Sequence, residues 1–275
     1  MRSLGVAALL ALAIVPAAAG AAPAHRIVSL IPSLTEDLFA VGAGASVVGV
    51  SAYSDYPAEA KRRPVVATFT SLATEKIVAL HPDAVVAIES QRAQARDLTR
   101  AGIRVQFYRD DSLADVYANL RAMGALTGHA AAAETLVTRL RARTAALTAS
   151  VPHGGHRPSV FVVLGTAPIF TVGNGSYIAR LIELAGGRNA ASDVPFPYAR
   201  YSAETLVARQ PDLLIVDPSV DLAAVNDRPP WNALGAVRAG RIATLPDPAI
   251  LERPGPRYND GLAWLIAVLR RKVSS

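Results

Sequence analysis

The sequence predicts an α/β protein: two α/β lobes with mainly parallel sheets, bridged by a single long α-helix. Three observations carry this. Short, apolar, β-rich runs alternate with helical patterns along most of the chain, as parallel strands joined by crossover helices require. The one long stretch without strand character, 113–150, falls near the middle. A helix–turn–strand unit also occurs twice, Glu75-Lys76-Ile77-Val78-Ala79-Leu80-His81-Pro82-Asp83-Ala84-Val85-Val86 and Glu204-Thr205-Leu206-Val207-Ala208-Arg209-Gln210-Pro211-Asp212-Leu213-Leu214-Ile215. The copies share Glu, Val-Ala and Pro-Asp, and their separation is far too long for a solenoid repeat.

The elements follow in order. Residues 26–31 read as a strand and Pro32-Ser33 as a turn. Ser33-Leu34-Thr35-Glu36 has capping-box spacing and opens a helix carrying Leu38, Phe39 and Val41, stopped by Gly42-Ala43-Gly44. A strand over 47–51 leads into an irregular loop at 53–57. A short helix (75–80), a turn at His81-Pro82-Asp83, a strand (84–88), a helix (91–101) closed by Gly102 and a strand (104–108) complete the first half. Next come a helix over 113–126, interrupted at Thr127-Gly128, and a second, amphipathic helix from Ala130 to Ala149 with Leu136, Leu140 and Leu147 as its apolar positions. At roughly 1.5 Å per residue the latter is a rod of about 30 Å. After a Pro- and Gly-rich break at 152–158, strands at 159–164, 213–216 and 241–244 alternate with helices at 176–185 and 204–209, before a final helix at 260–271. The expected lobes are 25–128 and 152–275, with 129–151 as the bridge.

Composition excludes several classes. The 275 residues contain no cysteine, which removes disulfide scaffolds, thiol nucleophiles, iron–sulfur ligation and lipid attachment at cysteine. With 51% hydrophobic and 18% charged residues, the chain is not disordered. The net charge of +6 comes from scattered Lys and Arg without aromatic interleaving or a nucleic-acid motif, so it reads as solvated surface. Met1-Arg2-Ser3, an apolar run from Gly5 to Pro16 and the small residues Ala17 to Ala24 read as a signal peptide over 1–24. The expected location is the periplasm, as a monomer not inserted in the membrane.

Catalytic signatures are missing from the sequence: no Gly-x-Ser-x-Gly elbow, no P-loop and no His-Glu-x-x-His. His153 and His156 lie in the Gly-rich break and read as an exposed hinge, and Asp110-Asp111 reads as turn and helix-start chemistry. An exported hydrolase on an α/β scaffold would need a converging nucleophile and base, which the sequence does not offer. No enzyme is expected, and no cofactor or resident metal.

Arg26-Ile27-Val28-Ser29-Leu30-Ile31-Pro32-Ser33-Leu34-Thr35-Glu36, Val48-Gly49-Val50-Ser51-Ala52-Tyr53-Ser54-Asp55-Tyr56-Pro57, the Glu75 unit and Leu251-Glu252-Arg253-Pro254-Gly255-Pro256-Arg257 together resemble the periplasmic substrate-binding proteins of iron-complex and cobalamin ABC importers. The resemblance implies a class III periplasmic binding protein that holds a small metal chelate between its lobes and hands it to a permease. Tyr53-Ser54-Asp55-Tyr56-Pro57 is most similar to the cobalamin-binding members. Carried over residue by residue, the resemblance implies ligand contacts at Ser33, Tyr53, Phe69, Phe170, Phe196 and Arg253, with Phe69 and Phe196 standing where tryptophans are common. Phe170 taken alone reads as ordinary core, whereas Phe69 and Phe196 lie in loops. Glu75 and Glu204 resemble the family's permease-docking carboxylates, one per lobe. A corrinoid is the expected ligand; a ferric siderophore, or haem held through Tyr53, Tyr56 or Tyr198, is the alternative.

Overall fold

A computed structural model describes residues 22–152 and 154–273. The expected signal peptide therefore lies outside the described residues except at its last three positions, and His153 lies outside them too. Ala24 packs into the fold, its backbone N–H donating to the Leu126 carbonyl at 2.8 Å.

The first half comprises β1 (Ile27–Ser29), α1 (Pro32–Ala40), β2 (Val47–Ser51), β3 (Val65–Ala67), α2 (Thr74–Ala79), β4 (Ala84–Ile88), α3 (Arg96–Arg100) and β5 (Val105–Tyr108). Its five strands are all parallel, in the order β3-β2-β1-β4-β5. Then come α4 (Leu113–Thr127) and α5 (Ala130–Ala149). The second half comprises β6 (Ser159–Val163), β7 (Gly165–Thr166), β8 (Ile169–Val172), α6 (Tyr177–Leu184), β9 (Arg188–Asn189), β10 (Tyr198–Arg200), α7 (Ala203–Arg209), β11 (Leu213–Val216), α8 (Gly235–Arg238), β12 (Ile242–Thr244), α9 (Ala249–Glu252) and α10 (Tyr258–Val273). Its parallel sheet runs β12-β11-β6-β9, and β10-β8-β7 form a separate antiparallel sheet.

Each parallel sheet is buried on both faces, and the side chains sort with period two. Ile27, Ala84 and Val86 of the first sheet, and Val160, Val162, Leu213 and Ile215 of the second, enter one apolar cluster with Leu120 of α4, Leu136 and Leu140 of α5, and Leu262 of α10. The alternate residues, Val28, Val85 and Ala87, pack with Ile77 and Leu98 of α2 and α3. Phe161, Val163, Leu214 and Val216 pack with Leu206 and Trp231. The lobes thus have separate outer cores but share an inner one, so α5 does not hold two isolated halves apart. A polar knot crosses the same seam: the Tyr258 hydroxyl meets those of Tyr117 at 2.7 Å and Thr144 at 2.5 Å, and Asn259 Nδ2 donates to the Leu140 carbonyl at 3.0 Å.

Three local expectations are corrected. Pro32 is not a turn residue but the first residue of α1, where its fixed φ and missing N–H cost nothing. Ser33 makes no capping hydrogen bond; Ile31 is the N-cap, and Glu36 is free to pair elsewhere. Of the helix expected over 91–101, only Arg96–Arg100 is α-helical, because 89–91 form a single tight turn in which the Gln91 side chain accepts from Ile88 N–H. The antiparallel sheet has strands of two to four residues, too short for a periodic signal. By contrast, α4 ends as the sequence indicates, with Gly128 in the left-handed region (φ +76°).

Candidate functional site

Charge closes one end of the seam between the lobes. Glu36, inside α1, has a side chain only 2% exposed. Arg257 grips it in a fork, with Nε donating to Oε2 at 2.8 Å and Nη2 to Oε1 at 2.7 Å. Arg253 Nη1 donates to the same Oε1 at 3.1 Å and to Asp55 Oδ1 at 2.7 Å. Arg257 Nη1 reaches Asp247 Oδ2 at 3.1 Å, and the guanidinium lies 4.0 Å from the centroid of the Tyr56 ring. Glu36, Asp55 and Tyr56 belong to the first half of the chain, while Asp247, Arg253 and Arg257 belong to the second. Burial pushes the Asp55 carboxyl up, but the hydrogen bond and charge of Arg253 outweigh it and hold the group below the usual carboxylate range.

The two arginines flank Pro254-Gly255-Pro256, and the backbone of Gly255 faces that of Ser33. Ser33 is therefore at the floor of the seam; its side chain is buried, and its hydroxyl has no hydrogen-bond partner. Next to Arg253, burial and the hydrogen bond to Asp217 push the Glu252 carboxyl up to about 8. Burial alone would also raise Asp217, yet hydrogen bonds from Glu252 and Ser219 hold it low. Tyr198, on β10, is half-exposed, and partial burial together with the carboxyl groups of Asp110, Glu252 and Asp111 pushes its phenol up to about 12. Asp110 itself is raised to about 6, by burial and by Asp111 and Asp115.

The aromatic residues named from sequence are on the surface. Tyr53 is 80% exposed, Phe69 68% and Phe196 67%. Phe170 is 37% exposed, which corrects its reading as core. Tyr53 has φ +65°, a strained conformation for an aromatic residue, and borders a shallow cavity of about 210 Å³ with Asp55, Lys61 and Arg63. Phe170 stands opposite Arg200 in the β8–β10 ladder. The loop carrying Phe196 is tied to 173–174 by Gly173 N–H to Pro197 O at 2.9 Å and Asn174 N–H to Val194 O at 2.7 Å. Glycine is required at 173, since a Cβ there would stand 2.0 Å from the Phe196 carbonyl oxygen. The structure thus joins Ser33, the Tyr53 loop and Arg253 through the ion-pair floor, and Phe170 with the Phe196 loop through the antiparallel sheet. Phe69 stands on its own turn at 68–71, where Gln94 Nε2 donates to its carbonyl at 3.4 Å.

The repeated unit is structural as well as sequential. Glu75 and Glu204 are each the second residue of their helix, and both are exposed. Ser202 donates to Glu204 Oε2 at 2.6 Å and keeps that carboxyl low. His81 and Gln210 both adopt left-handed backbone, with φ +44° and +42°. Asp83 Oδ2 accepts from the N–H groups of His25 and Arg26, both at 2.8 Å; Asp212 Oδ2 accepts from the N–H and hydroxyl of Ser159, both at 2.7 Å. Each carboxylate therefore clasps the start of its lobe's central strand.

Sequence reasoning missed the carboxylate side of the floor. Glu36 reads in sequence as the closing residue of a cap, and Asp55 and Asp247 carry no local signal of partners some 200 and 10 residues away along the chain. Among the described residues no group of three or more His, Cys, Asp or Glu side chains is placed to hold a metal ion, and no helix is long and apolar enough to cross a membrane.

Two doubly covered parallel sheets, a shared inner core and buried ion pairs joining the two halves define a two-lobe α/β protein of the binding-protein type. Residues 27–249 match the family model described as periplasmic binding protein, and the chain belongs to that family. It is accordingly a binding protein and not an enzyme. A vitamin B12-binding protein of Salmonella choleraesuis is 37% identical over 195 residues, 70% of this chain and 72% of its relative. Among solved structures, the periplasmic vitamin B12 binding protein of Vibrio cholerae superposes with a TM-score of 0.79 at 27% identity, covering 92% of this chain and 99% of the other. The periplasmic heme-binding protein of Roseiflexus sp. RS-1, in its apo form, superposes with a TM-score of 0.80 at 28% identity, covering 90% and 98%.

Proposed function

We propose that the chain is a periplasmic receptor that captures a corrinoid, a vitamin B12-like ligand, between its lobes and delivers it to the permease of an ABC importer. Two observations support this reading: Tyr53 and Phe69 in the first half and Phe170 and Phe196 in the second expose their aromatic faces, and Arg253 ties the two halves together through Glu36 and Asp55. The reading sets all four rings around one ligand. A broad macrocycle is gripped by aromatic faces, each burying roughly 150–250 Å², and oriented by few polar groups. Ser33 and Arg253 are the polar contacts in this reading. The lobes are taken as 25–128 and 152–275, with α5 as the connecting element of a monomer that is exported through the segment at 1–24.

Haem is the second reading. It is favoured by the exposed phenol of Tyr53 and by the superposition on a heme-binding protein. A ferric siderophore is the third candidate ligand. Native mass spectrometry of the protein incubated with cyanocobalamin, haemin or a ferric hydroxamate separates them. The corrinoid reading expects a 1:1 cyanocobalamin complex to dominate; a complex with haemin or the ferric chelate alone would replace it.

A further inference from the structure

We infer that Glu36, Asp55 and Asp247 act as an anion filter: by saturating Arg253 and Arg257, they make the seam selective for an electroneutral, amide-bearing chelate over a carboxylate-bearing one. This rests on the cleft reading above and adds the charge class of the ligand. Arg253 and Arg257 are the cations at the floor, and their side chains are only 19% and 15% exposed. Both are already engaged by carboxylates of the protein, three for two guanidinium groups, at 2.7 to 3.1 Å. Two further cations lie beside Tyr53: Arg63 donates to the Gly44 carbonyl at 3.0 Å, and Lys61 faces Asp55, whose carboxylate its charge helps to stabilise. An anionic ligand group entering here meets two guanidinium groups whose charge three protein carboxylates already offset, so it must either displace one of those carboxylates or bury its own charge uncompensated, and both are costly. Next to Arg253, Asp217 and Glu252 share a proton and so add one further negative charge on that side. A primary amide makes no such demand. It can donate to the carboxylates and accept from the remaining guanidinium N–H groups without displacing any ion pair. Asp55 and Asp247 are the adjustable members, since their side chains are about half exposed, at 50% and 48%.

The test compares ligands that differ only in charge. Cyanocobalamin, its monocarboxylic acids from mild hydrolysis of the side-chain amides, and haemin are titrated into the wild type, Asp55→Asn and Asp247→Asn, with folding checked by circular dichroism. The wild type is expected to bind the amide form at least about tenfold more tightly than the monocarboxylic acids, and Asp55→Asn to shrink that ratio about tenfold. Asp247→Asn should shrink it too. Equal affinity of the wild type for amide and acid forms, or a ratio unmoved in both folded variants, overturns the filter. If the wild type binds no corrinoid while the variants gain haemin affinity, the filter stands and the corrinoid reading falls. Tight corrinoid binding with an unmoved ratio does the reverse.

Discussion

Asp83 and Asp212 do the same work in the two lobes, each holding the first residues of a central strand through a charge-assisted bond to backbone N–H. Removing either carboxylate leaves those donors to weaker partners. Asp83→Ala and Asp212→Ala are each expected to cost about 1–3 kcal/mol in urea denaturation, while a conservative change at exposed Asp97 should cost almost nothing. The Pro-Asp dipeptides were visible in the sequence as a repeat. What they bind was not, because His25 and Ser159 lie more than 50 positions away. Glu252 makes a pH prediction. Its carboxyl is raised to about 8 in the folded protein, so between the ordinary glutamate range and about pH 8 the native state holds a proton that the unfolded chain releases. Its contribution to stability is complete in acid and is lost as the pH rises through about 8, at up to about 1.4 kcal/mol per pH unit. Glu252→Gln keeps a donor for Asp217 but cannot titrate, so its stability should fall less between about pH 5 and about pH 8 than that of the wild type. Parallel profiles from thermal melts would contradict the shared proton.

Helical periodicity and β-rich runs made the elements around the seam readable, whereas the cap read at Ser33 to Glu36 does not form. Ser112 and Asp115 complete a reciprocal cap at the start of α4, and the two central helices match the sequence to within a residue or two. Their packing was not readable, since it depends on a residue without a side chain. A Cβ on Gly124 would stand 2.5 Å from Ala133 Cβ and 3.1 Å from the His129 carbonyl oxygen, so α4 and α5 meet at Gly124. Gly124→Ala is therefore expected to destabilise by about 1–3 kcal/mol, although alanine gains about 1 kcal/mol of helix propensity; chemical denaturation reads the net sign. The overlong helix at 91–101 and the unseen strands β7, β8 and β10 share a cause. Both are short segments whose backbone is set by their partners, the carbonyl of Leu30 and the N–H of Ile88 near Gln91 and the paired strands near Phe170, and not by their own periodicity.

At the scale of the molecule, the two equivalent helices place Glu75 and Glu204 on separate lobes, exposed and at matching positions. Docking by these carboxylates onto permease cations predicts that Glu75→Ala with Glu204→Ala retains ligand affinity and loses uptake in cells that depend on this protein. Undiminished uptake would remove that role. The larger claim is that one ligand touches both lobes at once, meeting Tyr53 and Phe69 on one and Phe170 and Phe196 on the other. Hydrogen exchange with and without saturating cyanocobalamin tests it most directly. The account predicts slowed exchange in the segments around 53–57 and 68–72 together with those around 169–173 and 194–200. Protection confined to one lobe, or none at any concentration of cyanocobalamin, would contradict it.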